Sequence, residues 1–265
     1  MANNIFLTFW RHRSLVLELT KREFSGQYRG SLGGIVWSIV QPFFLLTIYT
    51  IAFGVILKTR WGFSGSTTDY ALMLFAGLIV FNAFSECISR SPTLIIDNPN
   101  FVKKVVFPLE LLPVITVLTV LIHALIGLAV WLAGYALLYG TIRATSILFP
   151  IVFACFVPVL LGLGWLLSAL GVIVRDISQL TGMLSTTLLF LTPIFYSIDA
   201  APPLLHHLLL LNPLTFVVEQ FRLVLFYGQM PAMTGVVVYF VLASLFAWAS
   251  LFLFRRLRPT FADMV

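Results

Sequence analysis

The chain has 265 residues, of which 60% are hydrophobic and only 10% are charged, with a mean hydropathy of +1.03 and a net charge of +6. Soluble domains carry about 25% charged residues, so this composition excludes a water-soluble globular protein. Several stretches reach the length of about 20 apolar residues that crosses a bilayer core, so the composition predicts an all-α integral membrane protein.

The N-terminal segment, residues 1–30, is interpreted as a cytoplasmic amphipathic helix at the membrane interface. Apolar residues recur there at near-helical spacing, namely Ile5, Phe9, Val16 and Leu19. The basic residues between them suit lipid phosphates or a partner surface: Arg11, Arg13, Lys21 and Arg22. A simple membrane anchor and a helix that docks a partner are both open interpretations of this pattern.

Six apolar stretches then predict six transmembrane helices, over residues 35–57, 70–88, 111–139, 147–174, 180–196 and 234–254. The fifth is the shortest and carries Pro193 near its end. The sixth is stopped by arginines at positions 255, 256 and 258.

Residues 202–227 are apolar but contain polar and charged side chains, and the charge distribution decides how to interpret them. With six spans both termini lie on one face of the membrane, and that face holds twelve of the Lys and Arg residues against four on the other. Positive residues concentrate on the cytoplasmic side. We therefore expect both termini in the cytoplasm, and residues 202–227 to form short re-entrant outer helices.

Two charge pairs and one histidine stand out among these elements. Glu86 and Arg90 are four residues apart, and Glu219 and Arg222 are three apart, as in ordinary helix-surface pairs. The second pair is also a candidate brace for an outer gate. His123 lies within a predicted span, where an ionisable group is costly, so we expect an interhelical hydrogen bond there.

Aromatic residues make up 15% of the chain, and several lie within or at the ends of the first and fifth predicted spans. Aromatic rings pack against the C–H faces of sugars, so such side chains suit a path along which a glycan slides. Core packing is the alternative for each of them taken singly. The residues are Trp37, Tyr49, Phe53, Phe190, Phe195 and Tyr196.

Motifs for catalysis are scarce, which argues against an enzyme. The Gly-x-x-x-x-Gly-Lys-Ser/Thr phosphate loop and the His-Glu-x-x-His metal motif do not occur in the sequence. Residues 62–65 match a Gly-x-Ser-Gly protease motif, but they lie in a predicted outer loop, and the sequence nominates no base for the serine. We predict no catalytic residue, no metal site and no cofactor in this chain. A membrane-embedded enzyme of glycan assembly is one alternative interpretation of the sequence, and a small-molecule drug exporter is another.

Five stretches together resemble the permease subunits of ABC exporters for polysaccharides, most closely those of the O-antigen export type. The most specific is residues 28–38, YRGSLGGIVWS, followed by Gln41 and Pro42. The other four agree in order and spacing across almost the whole chain: residues 84–90, 100–108, 174–177 and 212–222.

The resemblance implies a homodimer that works with two copies of a separate ABC ATPase subunit, which binds ATP and Mg²⁺. It implies a lipid-linked polysaccharide substrate, most simply O-antigen, moved across the bacterial inner membrane. A teichoic acid or capsule exporter is the alternative within the family. Membrane lipids are expected partners, and nucleic acid is not.

The resemblance also implies roles for particular residues. Residues 97–106 correspond to the coupling helix that contacts the ATPase, with Asn98, Asn100, Phe101, Lys103 and Lys104 at the contact. Residues 202–227 correspond to paired outer gate helices, and the first and fifth spans to the channel lining between subunits. Basic residues at the cytoplasmic entrance would attract the pyrophosphate of the carrier lipid, and the candidates are Arg11, Arg13 and Arg29.

Overall fold

The computed structural model describes residues 5–56, 66–103, 107–198 and 202–264. Every regular element within these ranges is helical, which confirms the predicted all-α membrane fold. The helices are α1 (Ile5–Arg11), α2 (Arg13–Gln27), α3 (Trp37–Tyr49), α4 (Thr67–Arg90), α5 (Pro99–Lys103), α6 (Leu111–Tyr139), α7 (Phe149–Ile173), α8 (Ile177–Leu191), α9 (Pro203–Leu211), α10 (Pro213–Arg222), α11 (Met233–Leu257) and α12 (Phe261–Met264).

Within the described residues, five helical segments are long and apolar enough to cross a bilayer. Four of them contain α4, α6, α7 and α11, which have 24, 29, 25 and 25 residues. At about 1.5 Å per residue, each exceeds the roughly 30 Å of a hydrocarbon core. The fifth is Gly34–Ala52, which contains α3 and continues into π-helical turns over Thr50–Ile56. The protein is therefore a multi-pass membrane protein.

The fifth predicted span, residues 180–196, differs from the helix that the structure shows. Helix α8 is apolar but only 15 residues long, and it ends at Leu191. It ends there because Thr192 precedes Pro193, and a residue before proline is driven out of helical geometry. Thr192 accordingly has φ −97° and ψ 137°. At about 1.5 Å per residue α8 rises only about 22 Å.

The core lies where α4, α6, α7 and α10 pack against one another, with α11 alongside α7. Small residues allow α7 and α11 to approach closely. A Cβ added at Gly162 would lie 2.6 Å from the ring of Phe246, and Ala243 and Ala247 are buried on the facing helix. Membrane helices commonly associate through such small residues, because lipid already surrounds their apolar side chains.

The predicted N-terminal amphipathic helix is two helices, α1 and α2, separated at His12. The described side chains of its apolar stripe pack on the protein. Val16 is fully buried, and Phe9 and Leu19 pack against a second core formed by the start of α6 and the ends of α7 and α11. The opposite face still presents Leu7, Trp10 and Leu17, each more than 60% exposed. The segment thus has one apolar face for the protein and another for a further surface.

Residues 202–227 form α9, α10 and a π-helical turn over Leu223–Tyr227. Asn212 caps α10 by accepting a hydrogen bond from the backbone of Leu214, and its amide donates to the Thr192 hydroxyl after α8. We call the end of the bundle that holds α10, Asp69 and Tyr139 the α10 end. The opposite end, which holds α2, Arg90 and the start of α6, is the α2 end.

Candidate functional site

A cavity of about 540 Å³ lies at the α2 end, between the end of α2 and helices α3, α4 and α6. Small-molecule sites typically occupy about 300–1,000 Å³. Its polar wall consists of Gln27, Tyr28, Ser38, Gln41, Asn82, Ser85, Glu86, Ser89, Arg90 and His123. Its apolar wall consists of Pro42, Leu45, Phe75, Ile79, Ala83, Val120, Ala124 and Gly127.

A network of charged side chains from three helices forms one side of this cavity. Arg90 donates to Glu86 at 2.9 Å within α4 and also to Glu23 on α2. Glu86 lies 2.8 Å from Nδ1 of His123 on α6, and Glu23 accepts from the hydroxyl of Thr116 at 3.3 Å. One guanidinium therefore joins two carboxylates on different helices, so the network ties α2 to the transmembrane bundle.

The imidazole of His123 extends the network to Tyr28. A carboxylate only accepts hydrogen bonds, so a neutral His123 donates from Nδ1 to Glu86 and accepts at Nε2 from the Tyr28 hydroxyl, 3.1 Å away. The expectation of an interhelical hydrogen bond at His123 is met. Tyr28 follows directly after α2, so this bond fixes the chain where it turns into α3.

Burial is the main cause of the pKa shifts of Glu23 and Tyr28, two network members that lie outside the membrane-spanning helices. It raises the pKa of the Glu23 carboxyl above its usual value, although Arg90 and Thr116 act in the opposite direction. Burial likewise raises the pKa of the Tyr28 hydroxyl, and the nearby Glu86 carboxylate adds to that shift. Both groups are thus held in an environment that disfavours additional negative charge.

Three amide side chains on the cavity wall are available for a ligand. Gln27, Gln41 and Asn82 make no side-chain hydrogen bond with any other residue in the described ranges, and all three are exposed. An amide offers one acceptor and two donor hydrogens. By contrast, no three His, Cys, Asp or Glu side chains in the described part of the chain converge in a way that could hold a metal ion.

A second cavity, of about 410 Å³, lies between α2 and α5 and shares Ser89 and Arg90 with the first. Two predicted coupling residues, Asn98 and Phe101, contribute to its wall. The Asn98 amide donates to the carbonyl of Leu94 at 2.9 Å, which closes the turn before α5. Arg90 therefore stands between the cavity at the membrane helices and the cavity at the predicted coupling segment.

The structure shows a short helix within the predicted coupling segment, residues 97–106. Helix α5 covers Pro99–Lys103, and Lys104 lies outside the described residues. The ring of Phe101 lies 4.4 Å from that of Phe107 and packs against the second core, whereas Asn100 and Lys103 are exposed. The segment is thus anchored by an aromatic side chain and presents polar side chains outward.

The predicted channel aromatics separate into two groups. Phe190, Phe195 and Tyr196 cluster after α8, where the first two rings stack at 6.0 Å and the Tyr196 hydroxyl donates to the carbonyl of Phe190. Two others lie at the two ends of α3. Trp37, its first residue, is half exposed, and Tyr49, its last residue, packs against the main core. The side chain of Phe53 lies outside what the structure describes.

The three arginines predicted at the entrance are all exposed. Arg13 lies over the ring of Trp10, 4.7 Å from its centroid, and Arg11 ends α1. Arg29 lies in the turn after α2, next to Tyr28 and the first cavity. The structure therefore places all three at the α2 end, with Arg29 adjacent to the polar network.

Arg222 is not the helix-surface residue that its spacing from Glu219 suggests. Its side chain is fully buried at the α10 end, and it pairs with Glu219 at 2.8 Å. It also donates to three backbone carbonyls, those of Met73 on α4 and of Pro193 and Ile194 after α8. The pair of Glu219 and Arg222 therefore ties α10 to two other elements.

Sequence reasoning did not identify Glu110, which organises a further cluster at the α2 end. This carboxylate is buried at the start of α6 and pairs with Arg255 and Arg258 at 3.4 and 3.2 Å. The two arginines were interpreted only as the end of the last span. A lone acidic residue before a 29-residue apolar helix was the available signal, since it needs a basic partner when buried.

Comparison with known proteins identifies the family. The profile of the ABC-2 type transporter family matches residues 14–226. The O-antigen export system permease protein RfbA of Myxococcus xanthus is 25% identical over 262 residues, which cover 97% of each chain. The O-antigen export system permease protein RfbA of Klebsiella pneumoniae is 24% identical over 253 residues, 95% of each chain. The resemblance drawn from the five motifs is confirmed, and the chain belongs to the ABC-2 type transporter family.

Proposed function

We propose that this permease is the transmembrane subunit of an ATP-driven exporter that moves lipid-linked polysaccharide, O-antigen in the first instance, across the bacterial inner membrane. The observation that carries the proposal is the similarity to O-antigen export permeases over almost the full length of both chains. The helix α5, exposed at the α2 end beside the polar cavity, supports it.

A second copy of the chain completes the transport path in this proposal. Helix α3 presents a long apolar face, with Ile39, Phe43 and Phe44 more than half exposed. Helix α8 likewise exposes apolar side chains, and both helices pack on α4. A homodimer formed through these elements would cover the apolar faces and place the cluster around Phe190 beside the path of the glycan.

Transport is driven by two copies of a separate ABC ATPase, which binds ATP and Mg²⁺. Helix α5 is the element through which the ATPase acts, with Asn98 closing the turn, Phe101 anchoring it and Asn100 and Lys103 facing the partner. Closure of the ATPase displaces α5, which shares a cavity with Arg90, so the movement reaches the contact that Arg90 makes between α4 and α2.

The α2 end faces the cytoplasm in this proposal, with both termini on that side. The exposed side chains of Arg11, Arg13 and Arg29 attract the pyrophosphate of the carrier lipid, as guanidinium groups bind phosphate well. At the opposite side, α9 and α10 form the outer gate. The buried Arg222 braces that gate through the carbonyls after α8 rather than lining the path.

Deletion of the gene, followed by measurement of long-chain glycan on the surface and inside the cell, tests the function. Loss from the surface with lipid-linked polymer trapped inside is the expected result, and rescue by the wild-type gene is the control. Loss of glycan in both places would instead indicate an assembly enzyme. Unchanged glycan would contradict the proposal and direct attention to drug export.

Charge reversal on α5 tests the coupling role separately. Lys103→Glu is expected to lower ATPase activity and export, since the exposed side chain faces the proposed partner, while insertion into the membrane is retained. Lys21→Glu, at a lysine of α2 that is also exposed, is the matched control. Equal activity of the two variants would remove α5 from the coupling mechanism.

A further inference from the structure

We propose that the cavity under α2 is a subsite for uncharged sugar residues of the exported glycan, distinct from the arginines assigned to the carrier pyrophosphate. This assignment rests on the proposed function and specifies where the permease recognises the polymer. The observation behind it is the combination, in one cavity, of amides without a side-chain hydrogen bond in the described ranges, charges already paired with one another, and an apolar wall.

The charges of the cavity argue against an anionic ligand. Arg90 already pairs with Glu86 and Glu23, and His123 lies within hydrogen-bonding distance of Glu86. No other Lys or Arg contributes to the wall among the described residues. A phosphate would have to displace a carboxylate from Arg90 and then lie beside it, so the network repels phosphate and tolerates neutral groups.

The amides supply what sugar hydroxyls need. A hydroxyl is both donor and acceptor, and so is each amide of Gln27, Gln41 and Asn82. These side chains come from three separate elements, the end of α2, α3 and α4, so they approach the cavity from different directions. Within the described ranges none of the three is engaged elsewhere, so a ligand gains these hydrogen bonds without breaking protein ones.

The opposite wall suits the apolar side of a sugar ring. Pro42, Leu45 and Phe75 present carbon surface from α3 and α4. Sites for small ligands combine such apolar walls with a few convergent polar groups, which fix the orientation of the ligand. The cavity therefore has one wall for sugar C–H groups and another for hydroxyls.

The cavity also adjoins the element proposed to line the path. Ser85 belongs to its wall, and the Ser85 hydroxyl lies 2.7 Å from that of Ser185 on α8. A sugar leaving the cavity along α4 would thus reach α8, whose far end carries the aromatic cluster around Phe190. The proposed subsite therefore lies at the start of the glycan path, at the α2 end of the bundle, where α5 also lies.

Protection of an introduced cysteine measures occupancy directly. The full chain with Asn82→Cys, and separately with Ser89→Cys, which lies on the cavity wall and keeps all three amides, is reconstituted in nanodiscs. Each variant is labelled with a maleimide in the presence of neutral oligosaccharides released by mild acid from the surface polysaccharide of the source bacterium. Labelling should slow as the sugar concentration rises, by about tenfold at roughly ten times the Kd. The native Cys87 and Cys155 are both buried, and the unsubstituted chain gives the background.

Two controls define the outcome. Gln229→Cys, exposed at the α10 end and outside the cavity wall, should label at the same rate with and without the sugar. Inorganic pyrophosphate should leave the labelling of Asn82→Cys unchanged. Unslowed labelling of both Asn82→Cys and Ser89→Cys at every sugar concentration, or slowing of Asn82→Cys by pyrophosphate alone, would overturn the assignment.

Export in cells separates this inference from the proposed function. The double variant Gln41→Leu, Asn82→Leu replaces both amides with apolar side chains, and should reduce surface glycan several-fold relative to Gln229→Leu, an exposed position outside the cavity wall, at equal amounts of membrane-inserted protein. If gene deletion abolishes export while the double variant exports normally, the subsite is wrong and the exporter stands. If deletion leaves the glycan unchanged, the proposed function fails, whatever the labelling shows.

Discussion

The two ends of the bundle use the same pair of residue types in opposite ways. At the α10 end, Arg222 is fully buried and its guanidinium bonds to three backbone carbonyls and to Glu219. At the α2 end, the Arg90 side chain is 28% exposed and its guanidinium bonds only to side chains in the described ranges, those of Glu86 and Glu23. One arginine is held by the backbone, and the other by groups that can rotate.

This difference has a mechanical consequence. Backbone carbonyls are fixed by the helices and turns that carry them, so the contacts of Arg222 hold α4, α10 and the end of α8 at fixed distances. Carboxylates on side chains can exchange partners with one another and with water. Under the proposed mechanism, in which the ATPase acts on α5, the permease needs a rearrangeable contact at the α2 end and a rigid one at the α10 end, and the two arginines match that division.

The largest effect is expected from Arg222→Leu. This change leaves three carbonyls and the Glu219 carboxylate without their donor in a water-poor interior, and breaking such a buried charge pair typically costs about 3–5 kcal/mol. We expect a large fall in the thermal unfolding midpoint of the purified permease. Arg256→Leu, at an exposed arginine of α11 with no ion pair in the described ranges, is the control and should lose much less. Equal midpoints for Arg222→Leu and wild type would contradict the rigid contact.

A smaller effect is expected from Arg90→Leu. It also removes the one guanidinium that the described residues contribute to this network, but the side chains involved are 22–28% exposed, so water replaces part of what is lost. Loss of hydrogen bonds to charged groups costs about 1–3 kcal/mol. The same thermal measurement should place this variant between wild type and Arg222→Leu. A loss as large as that of Arg222→Leu would show that the α2 end is as rigid as the α10 end.

The features that the sequence predicted correctly depend on local pattern. The helical class follows from uninterrupted apolar stretches, and the pair of Glu86 and Arg90 follows from spacing within one helix turn. The helix end at Leu191 was also predictable, because Thr192 and Pro193 carry the signal, but the apolar run beyond them suggested a longer span. Hydropathy alone therefore overestimated this element.

Contacts between distant parts of the chain could not be predicted in this way. Glu23 lies 67 residues from Arg90, and His123 lies 37 residues from Glu86, so neither pairing leaves a periodic signal. The same holds for Arg222, whose spacing from Glu219 suggested a surface pair while its carbonyl partners on α4 and after α8 make it a buried contact. The amides of the cavity, from three elements, become a site only through the tertiary fold.

A still smaller effect is expected from Tyr28→Phe, which removes one hydroxyl from the exchangeable network. The hydroxyl bonds to Nε2 of His123 at 3.1 Å, and a single hydrogen bond contributes about 1 kcal/mol net. A double-mutant cycle with His123→Ala isolates that interaction from the other contacts of each residue. If the double variant loses as much unfolding free energy as the two single variants together, the bond contributes nothing to stability.

The smallest effect concerns pH, and it tests whether Glu23 is bound tightly by Arg90 or only loosely. Burial raises the pKa of Glu23 above the unfolded value of 4.5, so the folded state holds the proton more firmly than the unfolded chain. This contribution to stability is complete below pH 4.5 and is lost as the pH rises through the folded pKa. Glu23→Gln cannot ionise, so its unfolding midpoint should rise relative to that of wild type as the pH increases through this window. At higher pH the difference between the two midpoints should stay constant. If the midpoint of wild type instead rises relative to that of Glu23→Gln as the pH increases, the effect of Arg90 on the Glu23 pKa outweighs that of burial. The contact at the α2 end would then be as strongly held as the one at Arg222.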